Sequence, residues 1–158
     1  MATSSSSAST KIILLTGVTG QIGGAIGRLI ATQGHTLILP VRDIQRGKNV
    51  QQALIAETGN SNIYLEQVDL ASYKSIRKFV QTFESKYPKL DVLINNAAYT
   101  PSAKKTLTVD NLESNFAINI FSYYLLMQGL RSSLKKASPQ ARIVNVASNY
   151  AGHLGKCE

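Results

Sequence analysis

Cysteine is almost missing from this chain: a single one, Cys157, stands among 158 residues. An internal disulfide is thereby excluded, a cluster built on thiolates is equally out of keeping, and no metal site is expected. Long hydrophobic runs are missing too, since no apolar stretch approaches the ~20 residues that a membrane-spanning helix needs. The first ten residues, MATSSSSAST, hold neither a positive charge nor an apolar block. They read as a disordered tail over 1–10, without the marks of a secretory signal or an Arg-rich transit peptide. These absences make the cytoplasm the expected location. Acidic residues are scarce, 9 against 17 Lys and Arg, for a net charge of +8. Such a surplus points to an anionic partner, whether nucleic acid, membrane surface or phosphorylated cofactor. The basic residues are scattered, with no stripe and no interleaved aromatics, which argues against nucleic acid.

What is present suits an ordinary soluble domain: 44% hydrophobic and 16% charged residues, in a length that buries about 68–70% of the unfolded surface. Ile12 to Leu15 form an apolar run, as in a strand buried on both faces. A helix from about Gln21 to Gln33 carries Ile22, Ile26, Leu29 and Ile30 on one face and stops at Gly34. His35 to Val41 reads as a strand, and Ile44 to Glu57 as a helix with Val50, Ala53 and Leu54 inward. Ile63 to Val68 is a third strand. Ser72 caps a helix with Ile76, Phe79, Val80 and Phe83 at 3.6-residue spacing, closed by Pro88. Leu90 to Ile94, a loop from Tyr99 to Asp110, a long helix from Leu112 to about Lys135, and a strand from Arg142 to Ala147 complete the series. Strands alternating with helices give βαβ units. The expected fold is α/β, a doubly wound (Rossmann-type) parallel sheet of five strands, in one domain over 11–158.

Between the first strand and the first helix lie Gly17, Gly20 and Gly23. This spacing turns the backbone sharply and leaves no Cβ where a pyrophosphate would approach, while the helix N-terminus directs N–H groups and a positive dipole end at it. A ligand in such a fold lies beyond the carboxyl ends of the strands. Those ends read Thr16-Gly17, Val41-Arg42-Asp43, Val68-Asp69-Leu70, Asn95-Asn96-Ala97-Ala98 and Ala147-Ser148.

Together these five ends resemble the short-chain dehydrogenase/reductase family, in particular its retinol-dehydrogenase-like branch, over residues 11 to 155. The resemblance implies a cofactor loop at Gly17, Thr19, Gly20, Gln21, Ile22 and Gly23. Here Gln21 stands where the usual middle glycine would be, and the spacing is closer to that of the family's extended branch. Arg42 matches the position that meets an adenosine 2′-phosphate, which favours NADP(H) over NAD(H), although Asp43 follows at once. Asp69 and Leu70 match the pair beside the adenine; Asp69 serves equally well to start the turn before Ser72. Asn96, Ala97 and Ala98 stand for the segment that approaches the nicotinamide ribose, with Ala98 in place of a glycine. Asn119, in an apolar helix, matches the Asn of the family's proton relay, or is a hydrogen-bonded structural amide. Ser148 matches the serine that polarises the substrate oxygen, or forms a turn.

The family's acid–base pair is a Tyr with a Lys four residues later, the Lys bringing a phenol of ordinary pKa ~10 toward neutrality. No Tyr of this chain has Lys at that spacing. The expectation is therefore the N-terminal, cofactor-binding part of a reductase, cut in the loop after strand five, with the C-terminal part of the fold missing. Its implied activity is hydride transfer between NADP(H) and a small alcohol or carbonyl substrate; the alternative is a non-catalytic NADP(H)-binding module. The helix 112–135, apolar almost all round at Leu112, Phe116, Ile120, Tyr123, Tyr124, Met127 and Leu130, is expected to be covered by the missing helix or by another subunit, and left bare it predicts homo-oligomeric association or poor solubility.

Overall fold

Strand β1 (Ile12–Leu15) sits at the centre of a sheet because its four residues feed two cores at once. Ile13 and Leu15 point to one face, and Leu14 points to the other. The period of two that a strand imposes thus turns an unbroken apolar run into two buried faces. In the computed structural model, which describes residues 9–100 and 105–148, β1 is flanked by β2 (Thr36–Val41) and β4 (Val92–Asn95), with β3 (Ile63–Gln67) and β5 (Arg142–Asn145) outside them. The order is β3-β2-β1-β4-β5 and every pairing is parallel. The expected tail, apart from its last two residues, and the loop residues 101–104 lie outside the described residues, as does everything after Ser148.

Pro40 is tolerated in β2 because of this register. Thr36 donates its N–H to Lys11 on the β1 side and Leu37 donates to Asn62 on the β3 side. The alternation directs the missing N–H of Pro40 toward β1, two residues past their last pair, Leu14–Ile38. The β1–β2 ladder ends there, while the β2–β3 ladder runs on to Val41–Gln67.

Helices α1 (Gln21–Thr32) and α2 (Ile44–Thr58) cover one face. Helix α3 (Tyr73–Lys86) covers the other, with the helical segment that follows β4. Ser72 caps α3 by accepting from Ser75 N–H. Phe79, Phe83, Leu93 and Leu126 close the second core, each contributing about 1.5–3 kcal/mol by leaving water. Among the described residues no helix is long and apolar enough to cross a membrane.

Four expectations are corrected. On α1, Ile22 and Leu29 are exposed, and the buried residues are Gly23, Gly27 and Ala31, because the helix lies too close to the sheet for larger side chains. On α2, Ala53 is exposed and Gly47 faces inward against Val41 and Leu65. The helix expected over 112–135 is broken: α4 (Ser114–Phe116), a π-helical turn (Ala117–Phe121), α5 (Ser122–Gly129) and α6 (Arg131–Lys135). Leu112 precedes it in a turn; Tyr123 and Leu130 point inward, whereas Phe116, Ile120 and Tyr124 remain exposed. Finally, β5 ends at Asn145 and is exposed along its length, including Ile143 and Val144, since it forms the outer strand of the sheet and no helix of the described residues covers it.

Candidate functional site

The chain leaves β1 and β4 in opposite directions across the sheet, and the crevice between them is where a ligand of such a fold is held. Thr16, fully buried at the end of β1, supplies the fastening. Its Oγ1 accepts from the backbone N–H groups of Asn96 and Ala97, both at 2.9 Å, and donates to Ile94 O at 3.4 Å. Asn96 returns the contact, its Nδ2 donating to Thr16 O at 2.9 Å and Gly17 O at 3.4 Å.

The glycines of the turn have different reasons to be glycine. Gly17 has φ +73°, and a Cβ there would lie 2.6 Å from Ala97 Cα. A Cβ on Gly23 would lie 2.1 Å from Gly17 O and 2.7 Å from Asn96 Nδ2. Both residues are therefore demanded by the protein's own packing. Gly20 is not: its Cβ would meet nothing nearer than Gly17 O at 3.5 Å. It borders the cleft, caps α1 without a side-chain bond and is followed by a first turn free of acidic residues. The N–H groups of that turn lack intrahelical acceptors. A bare backbone cradle at a positive helix end fits a pyrophosphate.

This cleft has a volume of about 570 Å³. Gly17, Thr19 and Gly20 border it from the turn, and Gln21, Ile22 and Gly23 from the start of α1. Arg42 borders it at the end of β2, Asp69 and Leu70 after β3, and Asn96, Ala97 and Ala98 after β4. Gln21, which stands in place of the usual middle glycine, is exposed as the first residue of α1. Ala98 is accommodated without strain, because Asn111 is the non-glycine residue of the described chain with positive φ. Asp69 takes part in the turn and also lies at the cleft. Its Oδ1 accepts from Ala71 N–H to form the turn before Ser72, while its carboxylate also borders the cleft.

Asp43 is drawn into the backbone of the next helix, where its Oδ1 caps α2 by accepting from Arg46 N–H at 3.0 Å. Arg46 also borders the cleft, its Nη2 donating to Thr19 O at 3.5 Å. The strand-end pattern missed Arg46, as it missed Tyr99 and Ile118, which line the same cleft. The signal for Arg46 was available, since it lies one helical turn beyond Arg42 in a helix whose start at Ile44 was legible.

Asn119 occupies the middle of the π-helical turn. Its Oδ1 accepts from Tyr99 N–H at 2.7 Å, and its Nδ2 donates to Tyr99 O at 3.0 Å and to Asn115 Oδ1 at 2.5 Å. The amide thus clamps the backbone where β4 passes into its loop. Tyr123 braces the same segment, donating its hydroxyl to Ala97 O at 2.7 Å, and burial pushes its pKa above the ordinary value. Glu113 caps α4 by accepting from the N–H groups of Phe116 and Asn115, which hold its carboxyl below the usual range. Ser148 stands exposed just beyond β5, and among the described residues that line the cleft neither Ser148 nor Asn119 is found. No group of His, Cys, Asp and Glu among the described residues is arranged to hold a metal ion.

A five-stranded parallel sheet with a glycine-lined crevice at its switch point defines a Rossmann-type nucleotide-binding fold. The chain belongs to the short chain dehydrogenase family, whose family model matches residues 11–156. It is 41% identical over 148 residues to short-chain dehydrogenase/reductase prx1 of Penicillium roqueforti, covering 90% of this chain and 41% of that protein. It is 35% identical over 148 residues to retinol dehydrogenase 12 of Bos taurus, covering 92% of this chain and 45% of the relative. It thus spans less than half the length of these relatives. The solved Pseudomonas aeruginosa RhlG/NADP active-site complex superposes with a TM-score of 0.77 at 26% identity, covering 94% of this chain and 58% of the other.

Proposed function

We propose that this chain is the NADP(H)-binding part of an oxidoreductase that acts on an alcohol or carbonyl substrate. The observation that carries the choice of NADP(H) is the pair Arg42 and Asp43. An acid at the end of the second strand is the usual mark of NAD, where it binds the ribose hydroxyl. Here the position holds Arg42, and the carboxylate that follows is turned away into the α2 cap. The NADP complex of RhlG supports the same reading.

When bound, the dinucleotide supplies a nicotinamide that exchanges hydride with the substrate carbon. The residues of this chain do the holding. The turn Gly17–Gly20 and the first N–H groups of α1 take the pyrophosphate, Arg42 the 2′-phosphate, and Asp69 with Leu70 the adenine. Asn96, Ala97 and Ala98 border the nicotinamide ribose. Ser148 is the group assigned to the substrate oxygen. Asn119 acts through Tyr99, keeping the β4 loop in register with the cleft, and is a positioning residue.

A second reading is a module that binds NADP(H) without turnover. Calorimetric titration of the full chain with NADP+ and NAD+, followed by an NADPH-oxidation assay on aldehydes, tests both. Tighter binding of NADP+ supports the proposal, and binding of neither dinucleotide overturns it. Binding without turnover selects the second reading.

A further inference from the structure

The two edges of the sheet are built differently. At the β3 edge, Val68 donates its N–H to Val41 O, so the alternation turns the backbone groups of Ile63, Leu65 and Gln67 away from β2. That edge is guarded. Gln51 of α2 reaches over it and donates its Nε2 to Ile63 O at 2.5 Å, and Lys48 and Lys86 border the groove alongside. Lysines and covering side chains keep an edge strand from pairing with another chain. At the β5 edge, Arg142 and Val146 donate to Asp91 O and Asn95 O, which turns the N–H and C=O of Ile143 and Asn145 outward. Among the described residues no hydrogen bond reaches these four groups. The one cation of the strand, Arg142, is folded back, its Nη1 donating to Pro139 O and Ala141 O. Ile143 and Val144, on opposite faces, are each 45% exposed.

We infer that the β5 edge is a pairing surface for a second copy of this chain, antiparallel to the first about a two-fold axis at Val144. Such a contact is isologous, the same patch serving on both copies. With the axis there, Ile143 faces Asn145 of the partner subunit, and Asn145 faces Ile143 of the partner subunit. These two pairs exchange four N–H···O bonds, which uses every outward backbone group of the strand. Val144 meets its own counterpart in the close, non-hydrogen-bonded position. Arg142 lies opposite Val146 of the partner subunit, so like charges do not face each other, as they would with the axis at Arg142. What the edge recognises is therefore its own sequence, uncharged from Ile143 to Asn145, in a chain whose net charge of +8 otherwise keeps copies apart. The pairing is independent of the nucleotide-binding reading.

The test is sedimentation equilibrium of the full chain, of V144K and of V144E. Val144 is half-exposed, so both variants are expected to keep the wild-type circular dichroism. The wild type is expected to dimerise reversibly. Each variant alone sets two like charges face to face and should raise the dimer dissociation constant roughly tenfold or more. An equimolar mixture of the two sets opposite charges together and should recover the loss. A measurement that needs no variant accompanies these: in the wild type, the amide hydrogens of Ile143 and Asn145 should exchange more slowly as protein concentration rises. A wild-type chain that stays monomeric, or exchange at these two amides that ignores concentration, overturns the proposal and leaves the edge to another stretch of the same polypeptide. Variants that associate as the wild type does, or a mixture no tighter than its components, overturn it as well and assign the association to the exposed stripe of Phe116, Ile120 and Tyr124.

Discussion

Substitution of Gly23 by alanine separates the packing role of the glycine turn from its ligand role. The new Cβ would sit 2.1 Å from Gly17 O, against 3.4–4 Å for ordinary contact, and 2.7 Å from Asn96 Nδ2. Neither obstacle is the free end of a flexible side chain: one is backbone, and the other is an amide held by Thr16 O and Gly17 O. The start of α1 must therefore move away from the turn, at a cost of about 1–3 kcal/mol for overpacking of this kind. Alanine returns at most about 1 kcal/mol through its better helix propensity, and one strained bond of Asn96 costs about 1 kcal/mol more. The net is a loss of about 2 kcal/mol, or about 4–8 °C in melting temperature for a domain of this size. Gly20 is the control. Its Cβ would meet only Gly17 O, at 3.5 Å, so G20A should cost no more than about 1 kcal/mol through the poorer helix cap, yet should weaken binding of NADP+ by placing a methyl group in the cradle. Thermal unfolding followed by circular dichroism, with calorimetric titration of both variants, reads the two effects separately. A G23A protein that melts with the wild type, or a G20A protein that loses more stability than G23A, would refute the reasoning.

Thr16→Val keeps the shape of a buried side chain but removes the acceptor of two backbone N–H groups; a loss of about 2 kcal/mol is expected in denaturant unfolding, and an unchanged midpoint counts against the brace. Glu113 has its carboxyl held below the ordinary 4.5, first by Phe116 N–H, then by Asn115 N–H, with Lys105 adding to them and burial opposing. Its cap is therefore fully present above that ordinary value and is lost as pH falls through the lowered one; the amide shifts of Phe116 and Asn115 should follow this titration by NMR and should stay flat in E113Q. Phe116, Ile120 and Tyr124 expose apolar surface along one helical stripe, so sedimentation should show concentration-dependent association that the double variant F116S/I120S reduces; a monomeric wild-type chain at all concentrations contradicts this.

The sheet was legible because its strands are short, apolar and punctuated by glycine or polar caps, and because strand ends in such a fold converge on one rim. Every residue assigned to the cofactor from those ends borders a single cleft. What stayed illegible depended on rotation and depth. Ile22 and Leu29 are apolar at helical spacing, yet Gly27 sits against Val18, Leu54 and Leu15, and the closeness of α1 to the sheet decides which side is inside. The π-helical turn at Ala117–Phe121 adds a residue to one turn of the helix, so a 3.6-residue count carried through it misassigns everything beyond: Tyr123 is buried and Tyr124 exposed. Arg46 lies one helical turn beyond Arg42, so its side of the helix was legible, whereas its reach to Thr19 O depends on how α2 sits against the glycine turn. Ser148 was matched through the strand segment Arg142–Ala147 before it, and such a match carries no information on its placement relative to Asn119.

The bond from Asn96 N–H to Thr16 Oγ1 joins residues 80 apart in the chain. A polypeptide emerging from the ribosome therefore displays the glycine turn long before it makes the residue that fastens it. The first βαβ unit can fold its helix in that interval, but the turn at Gly17 has no brace until β4 slides in beside β1. The cleft proposed for the nucleotide is therefore completed by that closure and not by the glycine sequence, and any segment that ends before Asn96 carries the motif without the brace.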